Sequence, residues 1–149
     1  MDDIDRKILA VLQGDATIAL DSLGEKVGLS RNACWRRVKA LESDGVIASR
    51  VTLLSPEKIG VGLTVFVKIR AAQLDGDWQE GFERAVADTP EILGAYRMSG
   101  DFDYLLRAQV PDLAGYDALR QRLISQLALT EISASFVLEE VKHTTALPL

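Results

Sequence analysis

Residues 29–41 read LSRNACWRRVKAL, and this stretch asks for two different partners at once. Indexed at about 100° per residue and carried on to Ser43, Cys34, Val38 and Leu41 fall on one apolar stripe, while Asn32, Arg36, Lys39 and Ser43 gather on the opposite side. The first face wants a protein core. The second carries cations and an amide, the groups that grip phosphates and read base edges, and between Arg31 and Lys39 there are four basic residues (Arg31, Arg36, Arg37, Lys39) and no acid. A basic helix face by itself is as readily a solvated surface, so its neighbourhood has to decide. Leu20 to Val27 is a short helix-like run. Gly28-Leu29-Ser30 follows, a tight turn whose glycine can take positive φ and whose serine can cap the next helix. Two helices joined by a short glycine-containing turn, the second of them basic, form the helix-turn-helix pattern. The expected partner is double-stranded DNA. Asn32 and Arg36 would meet base edges, with Ser30 at the helix start, Arg31, Trp35 and Lys39 at the flanks, and Arg37 nearer the core edge on a phosphate.

Upstream, Asp2 and Asp3 precede a run with Ile4, Ile8, Val11 and Leu12 on one side, and acids at that position suit a helix N-terminus. Gly14-Asp15 ends this first helix of three. Leu9, on its far side, is expected to touch something else, such as a second subunit. Downstream, Glu42-Ser43-Asp44-Gly45 stops the helical pattern, and Val46 to Leu54 (VIASRVTLL) reads as a strand. A strand pair there would be a wing, with Arg50 either on a phosphate or simply exposed. Ser55 to Gly62, with one proline and two glycines between dissimilar segments, reads as a connector.

From Leu63 the periodicity changes. Leu63 to Ala72 (LTVFVKIRAA) alternates as a strand does, with Leu63, Val65, Val67 and Ile69 against Thr64, Phe66, Lys68 and Arg70. Asp77 and Glu80 resemble a capping box ahead of a helix with Trp78, Phe82, Ala85 and Val86 on one face. Ile92 to Met98 is a second strand, and Ser99-Gly100-Asp101 turns the chain into a third, Phe102 to Val110. Pro111-Asp112 opens a helix with Leu113, Tyr116, Leu119, Leu123 and Leu127 inward, and Glu131 to Val141 closes as a fourth strand. Strand, helix, strand, strand, helix, strand is the ferredoxin-like βαββαβ order, an antiparallel sheet with both helices on one side. Its other face needs cover, with Phe66, Tyr96, Phe102, Tyr104 and Phe136 as candidates to line it, and a homodimer through that face is the economical answer. The expected fold class is therefore α+β, with a winged helix-turn-helix over 1–54, a linker over 55–62 and a ferredoxin-like dimerisation domain over 63–149.

Composition sets limits on this reading. The 149 residues are 48% hydrophobic, enough for one domain or two small ones. A formal net charge of −5 argues against nucleic acid until it is split. Residues 1–55 hold eight basic and eight acidic residues, and residues 56–149 hold nine and fourteen, so the excess acid belongs to the second half. The lone cysteine, Cys34, forms no internal disulfide and sits on the apolar stripe as a small hydrophobe, with redox sensing the alternative. With His143 the single histidine, no zinc-type cluster is expected. No apolar run nears the roughly 20 residues of a membrane span, and MDDIDRK is too acidic for a signal peptide, so a cytoplasmic protein without membrane contact is expected.

These residues resemble the Lrp/AsnC (feast/famine) transcriptional regulators along the whole chain. The likeness rests on DDIDRKILAVLQ at 2–13, GLSRNACWRRVKALESDGVI at 28–47, SGDFDYLL at 99–106 with VPD at 110–112, and LEEVK at 138–142. The resemblance implies dimerisation through the C-terminal domain, assembly into tetramers or octamers, and a small amino-acid effector held between subunits. The hairpin corner Met98, Ser99, Gly100, Asp101, Phe102 and Asp103 matches the part that contributes to that pocket in relatives, and Ser133 and Ser135 match positions with hydroxyls near it. Asp101 or Asp103 would face an ammonium group, and Gly100 N–H, Ser133 or Ser135 a carboxylate. Without the resemblance, Gly100-Asp101 reads as turn chemistry and Asp103 as a solvated strand residue. The tail KHTTALPL and the segment ACWRRVKALESDGVI look closest to a branch governing genes of cysteine breakdown; leucine or another branched or aromatic amino acid is the alternative effector.

An enzyme on the ferredoxin-like domain finds no support. No nucleophile–base pair, metal cluster or Walker-type phosphate loop is visible, and SGDFD carries one glycine where a phosphate cradle needs several. No catalytic residue, metal ligand or cofactor is expected. The competing functional reading is an architectural protein that compacts DNA with little sequence preference.

Overall fold

A computed structural model describes residues 1–149 and divides into two compact units, Met1–Leu53 with Val141–Leu149, and Leu54–Glu140. The last nine residues, expected to belong with the second domain, group with the first unit. No helix is long and apolar enough to cross a membrane.

The first unit is three helices, α1 (Asp3–Leu12), α2 (Leu20–Val27) and α3 (Arg31–Ser43). Asp2 caps α1 reciprocally: its carboxylate accepts from Asp5 N–H at 2.9 Å, and its own N–H donates to the Asp5 carboxylate at 2.9 Å. This satisfies helix-end donors that the ladder leaves open. α2 stops at Gly28, whose φ of 74° lies in the left-handed region that favours glycine. Ser30 Oγ then accepts from Ala33 N–H and starts α3. Ile8, Leu23, Val27, Cys34, Val38 and Leu41 form the core. The apolar stripe of α3 is therefore buried as its spacing predicts.

Residues 46–54 do not form the expected strand. Their composition suits one, yet a strand exists only as part of a hydrogen-bonded ladder, and no second segment of this chain pairs with them. Ile47 alone tucks into the core, its N–H donating to Leu41 O, while Val51, Leu53 and Leu54 stand exposed. On the far side of α1, where the sequence suggests a second subunit near Leu9, Leu9 and Leu12 line a cavity together with the chain's own Thr145, Leu147 and Leu149.

The second unit is β1 (Leu63–Ala71), α4 (Gly76–Ala87), β2 (Ile92–Arg97), β3 (Tyr104–Val110), α5 (Leu113–Gln126) and β4 (Leu129–Phe136). The sheet order is β2-β3-β1-β4 with every neighbour antiparallel, the ferredoxin-like arrangement. Val65, Val67 and Ile69 of β1 meet Leu106, Ala108 and Val110 of β3 in a core closed by Trp78, Phe82, Leu119 and Leu123 from the two helices. The helix starts follow local capping: Asp75, rather than the expected Asp77–Glu80 box, accepts from Trp78 N–H, and Asp112 accepts from Gly115 N–H. Leu113, expected inward on α5, is 63% exposed, whereas Leu119 and Leu123 of the same helix are buried. β4 also begins two residues earlier than expected and ends at Phe136 instead of Val141.

The uncovered sheet face differs from the expected one in two of its five aromatics. Phe66 and Tyr96 do lie there, and Phe102 adjoins it beneath Lys68, whose Nζ is 5.3 Å from the ring centroid. Tyr104 instead packs on Trp78 and Phe82 on the helix side, and Phe136 meets Tyr116 of α5 edge-on with centroids 5.2 Å apart. Register explains both. Tyr104 pairs with the buried Ile69, and Phe136 with the buried Val65.

Candidate functional site

Burying Cys34, Val38 and Leu41 fixes the rotation of α3, so Asn32, Trp35, Arg36 and Lys39 all point outward at helical spacing. Trp35 is 49% exposed. An exposed stripe of amide, indole, guanidinium and ammonium can hydrogen-bond base edges and phosphates and stack on sugar or base. The two faces do not compete for Cys34. It is fully buried and burial pushes its thiol up, which leaves it a core hydrophobe and removes the redox reading.

The cations expected to touch DNA stand in different environments. Arg31 lies 3.7 Å from Asp21, both well exposed, a contact that water screens and that holds little. Lys39 donates to Glu42 at 2.8 Å, and Arg50 to the same carboxylate at 3.0 Å. Arg36 has no acidic partner among the ion pairs of this unit. Arg37 has a structural task that the sequence reading did not include. Its guanidinium is held at 2.8 Å by both Asp2 and Asp5 at the start of α1, so it joins two helices of the fold. Nothing local to residues 30–43 signals those acids, which lie more than thirty positions away; the only hint is the D-x-x-D spacing at 2–5.

The second candidate site is the corner between β2 and β3. Met98 N–H donates to Asp103 O, Asp103 N–H donates to Ile69 O, and Gly100 has a φ of 123° that a side chain rarely tolerates. Ser99, Gly100 and Asp101 are exposed at the tip. Asp103 has a structural task too: one carboxylate oxygen accepts from Ala71 N–H at 2.9 Å, so the side chain pins the corner to the end of β1. Asp101 offers its main-chain oxygen to Arg70, which also lies 3.6 Å from Glu131. Ser133 sits across the ladder from Lys68 and Ser135 from Phe66, both exposed on the uncovered face that the corner borders. The structure thus gathers Met98, Ser99, Gly100 and Asp101 at one end of the face and Ser133 and Ser135 along its edge strand. Lys68, Arg70 and Glu131 belong to the same surface and escaped the sequence reading, although the alternation of β1 puts Lys68 and Arg70 in the right row. No group of three or more His, Cys, Asp or Glu side chains could hold a metal ion.

Residues 1–48 match the model of a winged helix-turn-helix DNA-binding family, and residues 64–147 match that of the Lrp/AsnC ligand binding domain. The chain is 54% identical over 149 residues to the glutamate uptake regulatory protein of Zymomonas mobilis, covering all of this chain and 91% of that one. Among solved structures it resembles an AsnC family transcriptional regulator from Agrobacterium tumefaciens, at 49% identity and a TM-score of 0.96, over 99% of this chain and 97% of that chain. It also resembles a transcriptional regulator of Neisseria meningitidis solved as a complex with L-methionine, at 37% identity and a TM-score of 0.95, over 99% and 96% of the two chains.

Proposed function

The chain belongs to the Lrp/AsnC family of transcriptional regulators, a helix-turn-helix with a ligand-binding domain, and on that premise we propose a sequence-specific repressor or activator that answers to one amino acid. The observation that carries the DNA half is α3, which buries three apolar side chains and thereby presents Asn32, Trp35, Arg36 and Lys39 on a single exposed face. Asn32 and Arg36 read base edges in the major groove. Ser30, Arg31, Trp35 and Lys39 flank them, and Arg50 reaches a phosphate. In this reading residues 1–54 are the DNA-binding domain, 55–62 the linker and 63–149 the effector and dimerisation domain of a cytoplasmic regulator with no enzymatic activity.

The effector half rests on the corner at 98–103. Gly100 N–H, Ser133 and Ser135 suit a carboxylate, and Asp101 suits an ammonium group. The uncovered sheet face, with Phe66, Tyr96 and Lys68 on it, is the surface through which two copies pair, and higher assembly to a tetramer or octamer follows from such dimers. Effector binding then works by differential affinity for two arrangements of the oligomer, and a coupling of about 1–3 kcal/mol is enough. Cysteine, leucine, methionine and glutamate are the first effectors to screen, the last two suggested by the Neisseria complex and by the name of the Zymomonas relative.

Two measurements test this. Footprinting on the DNA upstream of neighbouring genes should show separated half-sites protected at helical spacing, whereas uniform coverage would favour the architectural reading. A thermal-shift screen of the twenty amino acids should find one that stabilises the protein, by about 2.7 kcal/mol at 100 times its dissociation constant. Stabilisation by none removes the amino-acid response.

A further inference from the structure

Glu42, on the last turn of α3, accepts from two cations at once. Lys39 Nζ donates to Oε2 at 2.8 Å and Arg50 Nη2 to Oε1 at 3.0 Å, one oxygen for each. The carboxylate is partly exposed, with a side-chain accessibility of 31%, and all three groups lie on one surface of the first unit. The hydrogen bond from Lys39, ahead of the field of Arg50, holds the Glu42 carboxyl below its usual range, so it is ionised at neutral pH. To these cations it offers what a DNA phosphodiester offers, a single negative charge spread over two oxygens within reach of both.

We propose that Glu42 is an internal competitor for DNA phosphate, occupying Lys39 and Arg50 in the free protein and surrendering them when the backbone arrives. The inference rests on α3 being the DNA-reading helix. Its consequence lies in the division of binding between phosphate and base contacts. Backbone contacts supply nearly all non-specific affinity, and here two of the cations that would make them begin with a partner to lose. Arg36, without such an acid, has no partner to give up. The exchange costs little because exposed ion pairs are weak, so Glu42 trims backbone affinity without abolishing it.

The test is a salt titration of the full chain carrying Glu42→Gln, which keeps the shape and removes the charge. Binding to a mixed-sequence duplex is followed between roughly 50 and 200 mM NaCl. The variant should bind on the order of threefold to tenfold tighter at the low-salt end, while the slope of log K against log salt, roughly 0.9 for each phosphate neutralised, should stay nearly the same because Lys39 and Arg50 reach the same phosphates in both proteins. The tightening should vanish when Lys39→Gln and Arg50→Gln are added. Glu42→Asp, which keeps the charge and retracts it by one methylene, should tighten binding less than Glu42→Gln and serves if the latter melts early. Unchanged or weaker binding overturns the proposal, as do a slope steeper by about one to two, which would mean that the wild-type protein never surrenders the two cations, and a tightening that survives neutralising both. Arg36→Ala is run alongside. If it weakens binding while Glu42→Gln does nothing, only the competitor role fails; if Arg36→Ala leaves binding intact, the DNA-reading role of α3 fails and the competitor role with it.

Discussion

Arg37 of α3 donates to the Asp5 carboxylate of α1 at 2.8 Å, and the same nitrogen donates at 2.8 Å to Asp2, whose carboxylate also caps α1. The start of the first helix and the middle of the third are thereby held by one guanidinium. Asp2 sits below its ordinary value of 3.8, first because of the Asp5 N–H and then because of Arg37. A carboxyl depressed in the folded state contributes stability that is fully present above its unfolded value and lost as pH falls through the folded one. Asp2→Asn keeps an acceptor for the cap and removes the charge. We expect the melting temperature of the wild-type protein to fall towards that of Asp2→Asn as pH drops from 6 to below 3.8. Parallel curves with a constant gap would show that the charge on Asp2 contributes nothing.

Gly24 shows where steric contact outweighs propensity. A Cβ built on this buried helical residue would stand 2.6 Å from Leu29 O, in the turn between α2 and α3. Alanine favours a helix interior over glycine by about 0.8–1.0 kcal/mol. The clash is with backbone, which cannot swing aside as a side-chain tip would, and overpacking of this kind costs about 1–3 kcal/mol. Gly24→Ala should therefore lower stability despite its better propensity, and because the turn sets the exit angle of α3 it should weaken DNA binding as well. Calorimetry and a gel shift on the same preparation decide it. A rise in melting temperature would mean that the turn relaxes freely.

The parts of the fold legible in the sequence are those set by contacts within one element. The stripe of Cys34, Val38 and Leu41 fixed which side of α3 faces out, and the alternation of β1 fixed that Val65, Val67 and Ile69 face in. Relations between elements were less accessible. Tyr104 and Phe136 sit on the opposite sheet face from Phe66 because they share the parity of Leu106, Ala108 and Val110 in β3 and of Ile132 and Ala134 in β4, an alternation that aromatic character alone does not reveal. The segment 46–54 has strand composition and no partner in the chain to pair with. Arg37 and Asp103 have side chains typical of ligand contacts, and both already have partners within the fold, Asp2 and Asp5 in one case and Ala71 N–H in the other. Free and committed charge are distinguished only by what stands beside the group in space.

The tail of the chain offers a local test. Gln13, the residue after α1, pairs with Leu147 in both directions: its Nε2 donates to Leu147 O at 3.0 Å, and Leu147 N–H donates to its Oε1 at 2.9 Å. Both residues are exposed, so the pair should order the tail while adding little to global stability, within about 0.5 kcal/mol as for surface substitutions generally. Gln13→Ala should speed amide exchange at Leu147 and leave the melting temperature nearly unchanged. Equal exchange rates in the two proteins would mean that the tail is held by the apolar contacts of Leu147 and Leu149 alone.

Arg36 and Arg37 are neighbours in sequence with opposite expected effects. Arg36 is exposed and free of acidic partners, while Arg37 is bound to two carboxylates. A guanidinium that meets a guanine edge contributes about 1–3 kcal/mol of discrimination, so Arg36→Ala should lose that much on the preferred site, lose less on unrelated DNA, and relax preference at the base it reads. Its melting curve should match that of the wild-type protein, because no contact within the fold is removed. Arg37→Met should do the reverse: it leaves Asp2 and Asp5 without their cation, lowers the melting temperature, and reduces binding to all sequences only in proportion to the protein that has unfolded. Gel shifts on the preferred site and on a scrambled duplex, run well below both melting temperatures, separate the two. Equal losses on both duplexes for Arg36→Ala would assign it to phosphate, and a sequence-selective loss for Arg37→Met at full folding would return Arg37 to the DNA-reading set.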